Sequence, residues 1–383
     1  MRSRERMRIL VVNDILQGGG VEKLMYDVVM YFRQEHEVAI LTDKKDADFD
    51  KVYPNDVKYF YQMEEEYPKG KNKLERKLIQ YKKKKTEENL KQEIRNMNFD
   101  VLLCMKESWI MWMAITYGEY IPKRVARVHT DYKKSYYTKA WFTAEAEVKM
   151  MQKYHHVVCV SQTILDSIKE VIGDPGNLIR CYNPLDVKKI REMSLEPVED
   201  IKRSERPLFV TVGRLNIQKG YDILLEVCNL LNKEGYQYDV WIVGGGESWN
   251  KYEVQRDLER QIYQYGLDNV YLLGHQTNPH KYVKQGDWFL SSSRYEGFSY
   301  VSQEAAIIGK PLALTECAGV MELLKSKDNG IVMENSYAGI YYGMKYAIEH
   351  PEMANEYLSR MEVPDEYSYG EGRMKQIESL FME

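Results

Sequence analysis

Several common signatures are missing from this chain, and each absence narrows what it can be. Its five cysteines, Cys104, Cys159, Cys181, Cys228 and Cys317, are odd in number and far apart. No two form a Cys-x-x-Cys pair, which argues against a zinc ribbon or a disulfide framework and points to a reducing compartment. Long apolar runs are missing too. Near the start, Ile9–Val12 is cut short by Asn13 and Asp14, so no signal peptide is expected. The least polar later window, Trp109–Tyr117, is about half a membrane span. Charge of one sign is not in excess: 54 Lys+Arg against 58 Asp+Glu give a net charge of -4, with no bias toward nucleic acid. Phenylalanine is scarce, 9 residues against 31 tyrosines. That balance fits stacking on sugars or bases, and equally a compositional preference.

What is present is a rhythm. At 383 residues the chain exceeds one comfortable core, so two domains are expected. Short, continuous apolar runs alternate with helical patterns. They are Arg8–Val12, Glu37–Leu41, Val101–Cys104, Arg124–Val128 and His156–Val160, then Leu208–Val212, Val240–Val243, Val270–Leu273, Trp288–Leu290, Pro311–Leu314 and Gly330–Met333. Runs without polar alternation mark strands buried on both faces, as in a parallel sheet. Helices are expected at Val21–Phe32, Glu75–Met97, Thr163–Val171, Gly220–Glu234, Tyr252–Tyr265, Tyr300–Ile308 and Ala338–His350. The charged stretch 186–206 reads as a linker between residues 1–185 and 207–365. The architecture expected is α/β: two Rossmann-like, doubly wound domains facing an interdomain cleft, with ligands at the carboxyl ends of strands.

Six loops carry candidate chemistry. In "SRYEGFSYVSQE", Glu296 and Glu304 bracket a turn and the start of a helix. Gly297 would let backbone approach a ligand, and the amides of Phe298, Ser299 and Tyr300 would open the helix toward an electron-rich group. Glu304, on an apolar helix, needs a partner that a ribose diol could supply. The same stretch also reads as an acidic loop before a helix with one exposed glutamate. "VGRLNIQKG" places Arg214 and Lys219 between Gly213 and Gly220, a ready anion site or an ordinary solvent-facing loop. It is no P-loop, because no Gly-Lys-Ser/Thr follows. "NDILQGGGVEKL" sets Gly18, Gly19 and Gly20 before a helix, without the alternating glycines of a dinucleotide fingerprint. "VARVHTDY" ends a strand at His129. Gly245 in "WIVGGGES" and His275 in "LLGHQTNP" end two more.

Taken in order and spacing, Gly18–Gly20, "GRLNIQKG", "VGGGES", "LGHQ" and "EGFSYVSQE" resemble the family-4 retaining glycosyltransferases of the GT-B fold, among them bacterial capsule and exopolysaccharide enzymes. The resemblance implies transfer of a sugar from a UDP- or GDP-linked donor to a glycan or lipid-linked acceptor, with retention and with no metal or other cofactor. It implies that Arg214 and Lys219 hold the diphosphate, Glu304 the ribose, and Glu296 with the amides of Gly297 to Tyr300 the donor sugar. His129 would lie near the sugar's reacting face, Gly245 and His275 near the base, and Gly18–Gly20 on the acceptor side. The tail, 366–383, would pack back on the first domain. A cytoplasmic enzyme is implied, peripheral to the membrane if the exposed run Lys82, Lys83, Lys84 and Lys85 meets an anionic surface; otherwise that run is a solvated helix face. Asp46-Ala47-Asp48 has the form of a metal-binding pair but falls in a polar loop. A nicotinamide oxidoreductase or a catalytically silent partner of the same fold are the competing readings.

Overall fold

The computed structural model of the chain describes residues 6–14, 19–44, 52–63, 73–246 and 253–382. Gly18 and the Asp46-Ala47-Asp48 stretch lie outside the described residues. The chain divides into two compact units. The first holds Met1–Val160, Ile164–Asn183 and Arg373–Glu383, and the second holds Ser161–Thr163 and Pro184–Gly372.

The first unit is built on a seven-stranded parallel sheet. Its strands are β1 (Arg8–Val12), β2 (Glu37–Lys44), β3 (Lys58–Met63), β4 (Val101–Cys104), β5 (Lys123–Val128), β6 (His156–Cys159) and β7 (Leu178–Arg180), in the spatial order β3-β2-β1-β4-β5-β6-β7. The helices α1 (Gly20–Phe32), α2 (Lys73–Asn96), α3 (Trp109–Gly118), α4 (Ala144–Met151) and α5 (Gln162–Val171) connect them. The second unit adds α6 (Val187–Ser194), then β8 (Leu208–Val212), α7 (Tyr221–Lys233), β9 (Asp239–Val243), α8 (Glu253–Tyr265), β10 (Val270–Leu272), α9 (His280–Gln285), β11 (Trp288–Ser291), α10 (Tyr300–Ile308), β12 (Leu312–Thr315), α11 (Val320–Leu324), β13 (Ile331–Met333), α12 (Tyr337–Glu349) and α13 (Met353–Arg360). Its six strands lie in the order β10-β9-β8-β11-β12-β13, again parallel.

The continuous apolar runs have a direct packing reason. Successive strand residues point to opposite faces, so a strand covered on both sides must be apolar at every position. In β8 and β9, Phe209, Val240 and Ile242 enter one core cluster with Leu224, Leu225 and Trp288. Leu208, Val210, Trp241 and Val243 enter the other, with Phe289, Ile307 and Leu312.

The structure differs from the sequence pattern at the margins. The edge strands β3 and β7 carry partly exposed residues (KYFYQM and LIR), and neither presents the buried run that marked the others. The segment 186–206, read as a linker, contains α6, whose Val187 and Ile190 join the core of the second unit.

The last helix, α14 (Gly372–Met382), groups from Arg373 onward with the first unit. Phe381 packs on Phe32 of α1, ring centroids 5.1 Å apart, and Ile377 is fully buried. Glu378 faces His36, 3.8 Å away, both buried. Phe381→Ala should therefore cost about 3–5 kcal/mol. Urea unfolding of the full chain, followed by tryptophan fluorescence, checks this as a lower midpoint for the first unit.

Candidate functional site

Strand order decides which loops meet. In the second sheet β8 lies between β9 and β11: the chain steps outward from β8 to β10 on one side, then crosses back to β11 on the other, and this reversal opens a crevice at the carboxyl end of β8. The loop after β8 (213–220) and the loop after β11 (292–299) are neighbours there. They are stitched by backbone and side chain: Arg294 N–H donates to the Gln218 carbonyl (2.7 Å), Gln218 Nε2 to the Tyr295 carbonyl (3.0 Å) and Ser292 Oγ to the Lys219 carbonyl (2.8 Å). Asn335 Nδ2 reaches the carbonyls of Ser293 (3.2 Å) and Arg294 (2.7 Å) and pins the second loop from below.

Two of the candidate residues meet inside this stitched pair. Lys219 Nζ lies 2.6 Å from Glu296 Oε1, which also accepts from Ser293 Oγ at 2.8 Å. The side chains are only 15% and 12% exposed, so the pair is partly desolvated and screened less than a surface pair. Arg214, on the same loop, is exposed. The opposite charges of Lys219 and Glu296 thus address one small region, with the Arg214 loop beside it.

Glycines make this proximity possible. Gly220 sits at φ +63, and a Cβ there would lie 2.2 Å from the Ser292 carbonyl oxygen. Gly244, at φ +152, packs so close that a Cβ would lie 1.8 Å from the Gly213 carbonyl oxygen. Next to it, Gly245 accepts from Leu215 N–H at 2.8 Å and faces His275, whose Cβ would be 3.2 Å from a Cβ at position 245. Loops after β8, β9 and β10 are therefore contiguous, and Gly245 and His275 are brought together.

The helix that follows the second loop begins at Tyr300. Ser299 caps it, its Oγ accepting from Ser302 N (3.4 Å). Phe298 is buried, its ring in contact with the position a Cβ of Gly319 would occupy. Gly297 is not among the glycines with positive φ. Glu304 is buried in α10, with His280 Nε2 3.4 Å from its Oε2. The His280 ring of α9 thus stands beside this carboxylate, although neither ring nitrogen makes a hydrogen bond among the described residues.

In the first unit, His129 follows β5. Its backbone N–H donates to Glu107 Oε2 (3.0 Å), and Nε2 lies 3.0 Å from the Met105 carbonyl. Nε2 must carry the proton to make that bond, which leaves Nδ1 as an acceptor. Glu107, almost fully buried, also accepts from the hydroxyls of Thr130 and, at 3.2 Å, Tyr137. Lys106 Nζ reaches Asp14 Oδ2 across the carboxyl ends of the neighbouring strands β4 and β1, at 3.4 Å. Gly19 and Gly20 stand at the start of α1, Gly19 as its extended N-cap.

Among the described residues, Glu35, His36 and Glu378 bring potential metal-ligating atoms within 4.8 Å of one another. They lie at the amino ends of β1 and β2, the opposite edge from His129. Lys82 to Lys85 are exposed on α2, as are Leu78 and Tyr81.

Sequence reasoning missed Glu107, Ser293, His280 and Asn335. Only Glu107 left a signal, an acid just past the carboxyl end of a wholly buried strand. The others are ordinary polar residues whose roles follow from loops meeting across the sheet.

Comparison with known proteins adds a direct result. The family model described as Glycosyltransferase Family 4 matches residues 18–189, and that described as Glycosyl transferases group 1 matches 195–360. An uncharacterized glycosyltransferase of Methanocaldococcus jannaschii is 28% identical over 237 residues, 60% of this chain and 55% of that protein. The N-acetylgalactosamine-N,N'-diacetylbacillosaminyl-diphospho-undecaprenol 4-alpha-N-acetylgalactosaminyltransferase of Campylobacter jejuni is 26% identical over 181 residues, 47% of this chain and 46% of that protein. The chain thus spans about half the length of these two relatives. Among solved structures, Anabaena HepE in complex with UDP is similar in fold, with a TM-score of 0.75 and 17% identity over 98% of this chain and 100% of that one.

Burial lowers the pKa of His129 below its ordinary 6.5, against the opposing pull of Glu107. A depressed histidine stabilises the fold fully above pH 6.5 and loses that contribution as pH falls through the folded value. Nitrogen NMR should find the His129 ring neutral, with the proton on Nε2, at pH 6. The chain should also lose stability below 6.5 with a slope that His129→Gln flattens.

Proposed function

This chain belongs to the glycosyltransferases that join a family 4 domain to a group 1 domain, and from that premise we propose that it transfers a sugar from a nucleoside-diphosphate sugar to a glycan or lipid-linked acceptor. Its two parallel-sheet α/β units are those of the GT-B fold. The observation that carries the proposal is the Lys219–Glu296 pair, 2.6 Å apart at the strand switch of the second sheet, its lysine on the loop that also carries Arg214.

Breaking a glycosidic bond to a diphosphate separates charge. Positive charge grows at the sugar's anomeric carbon and negative charge on the β-phosphate oxygens. A site for this step needs both signs within a few ångströms, fixed in advance. Glu296 supplies the negative group and an acceptor for sugar hydroxyls; Lys219 and the fork of Arg214 supply the positive one. The amino end of α10, around Phe298 to Tyr300, adds partial positive charge. Glu304, with His280 3.4 Å away, takes the ribose hydroxyls, and Gly245 with His275 borders the base. His129, neutral with an accepting Nδ1, suits a hydroxyl of the transferred sugar. With two cations for the leaving group, the step needs no metal. Retention of the anomeric configuration is part of the same reading.

The relatives support the substrate classes. HepE has been solved with UDP and with UDP-glucose. The C. jejuni relative acts on a diphospho-undecaprenol-linked sugar. We therefore assign this chain to cell-surface polysaccharide synthesis at the cytoplasmic side of a membrane. Among the described residues no helix is long and apolar enough to cross a membrane. The exposed lysines 82–85 of α2 are the basic face for peripheral contact.

UDP or GDP, but not NAD, should raise the melting temperature; a response to NAD alone would favour an oxidoreductase. Glu304→Ala should weaken donor binding in calorimetry, since each hydrogen bond to a charged acceptor is worth roughly 1.5–3 kcal/mol.

Arg214→Ala should lower kcat by about 10²–10³, because its contact strengthens as the phosphate charge develops. Activity should survive excess EDTA, and proton NMR of the product should show the donor's anomer; an inverted glycoside would refute retention.

Neutralising Lys82 to Lys85 should reduce sedimentation with anionic vesicles, by up to about 1 kcal/mol per lysine, and wild-type binding should fall with salt. Equal sedimentation of both proteins would leave a solvated face.

A further inference from the structure

The outer face of the first unit carries a second concavity, built from residues with no part in the chemistry above. Along α2, Glu88, Lys91, Gln92 and Arg95 recur at the spacing of one helical face; Trp112, Ile115 and Thr116 line the facing side of α3, and Glu119 and Tyr120 follow in the turn after it. The two faces do not close on one another as apolar stripes would. They line a cavity of about 680 Å³, with Met150 and Lys153 at one side. That volume lies within the range of small-ligand sites, about 300–1,000 Å³.

Two aromatic rings give the cavity its character. Trp112 is 36% exposed and Tyr120 38%. Both are held in place: Trp112 stacks on Phe142 (centroids 5.4 Å apart, planes at 15°), and the Arg95 guanidinium lies over the Tyr120 ring at 4.9 Å. Rigid, half-exposed rings present flat apolar faces to a ligand at little entropic cost.

Two of the cations around them are held in ion pairs. Lys153 pairs with Glu119 at 2.8 Å and Lys91 with Glu87 at 2.6 Å, while the Arg95 guanidinium lies against the Tyr120 ring. An anionic ligand would have to break the two ion pairs to reach Lys91 and Lys153, and an aliphatic one would bury the polar rim unpaired. A ligand with alternating C–H faces and hydroxyls fits both features. It stacks on the rings and donates its hydroxyls to the carboxylates of Glu88 and Glu119 and to the oxygens of Gln92 and Thr116, whose own donors already go to Asn96 and to the Trp112 carbonyl.

We propose that the groove between α2 and α3 is a binding site for a neutral oligosaccharide, separate from the donor site and able to hold a glycan chain on the enzyme's first unit.

A printed array of neutral and anionic oligosaccharides, probed with the full-length protein, tests this. Trp112→Ala removes the platform and Thr116→Trp fills the groove. The expected result is a neutral glycan bound by the wild type and weakened about tenfold by each variant, with the melting shift on UDP retained. If Trp112→Ala loses the UDP shift, and so its fold, Thr116→Trp and Tyr120→Ala decide. No neutral glycan bound, or binding unchanged in the folded variants, overturns the proposal. So does binding of anionic glycans or of phosphatidylglycerol vesicles that these substitutions abolish in place of neutral glycan binding.

Discussion

The ion pair between Lys219 and Glu296 depends on more of the second unit than any other contact in the site. The two residues are 77 positions apart and belong to loops after different strands. They meet because β8 and β11 are adjacent in a sheet whose order reverses at β8. Every device around them keeps the two loops in contact: the Ser292–Lys219 and Arg294–Gln218 hydrogen bonds, the Asn335 amide beneath, and a left-handed Gly220 that leaves room for the Ser292 carbonyl. An ammonium and a carboxylate this close would attract one another anywhere. Partial burial and a stitched backbone turn that attraction into fixed geometry, which is what charge separation in a reaction requires.

The first unit solves a comparable problem with a different group. There the hub is the buried Glu107, placed just beyond β4, which collects a backbone N–H from His129 and hydroxyls from Thr130 and Tyr137. A carboxylate at the end of a buried strand is costly alone, and three donors make it affordable. In return it orients the turn that carries His129, while the Met105 carbonyl sets which ring nitrogen bears the proton. In both units, polar chemistry gathers at the carboxyl ends of the central strands, where helices begin and chain direction changes.

Much of this was legible beforehand. Strands such as Arg8–Val12, Val101–Cys104 and Leu208–Val212 stand out in the sequence because burial on both faces disfavours polar residues, and the helix expected at Tyr300–Ile308 has the bounds of α10, between the Ser299 cap and Gly309. The edge strands β3 and β7 did not stand out, because an edge has an exposed side and tolerates Lys, Gln and Arg. The charge of α6 hides it: Val187 and Ile190 anchor it, while Lys188, Lys189, Arg191 and Glu192 make up half of it.

The sequence by itself determined the parallel α/β class, the glycine-bracketed basic loop at Gly213–Gly220, and the two acids in the loop and helix after β11. Each of these is a local matter, of burial periodicity, of backbone conformation that glycine permits, or of residue type along a few positions. The tertiary structure decided which of these residues touch. It paired Lys219 with Glu296, set His280 against Glu304, and gave His129 its proton arrangement through Glu107 and Met105. Those pairings follow from strand order and loop length across many tens of residues, and no local pattern in the chain encodes which strand will lie beside which.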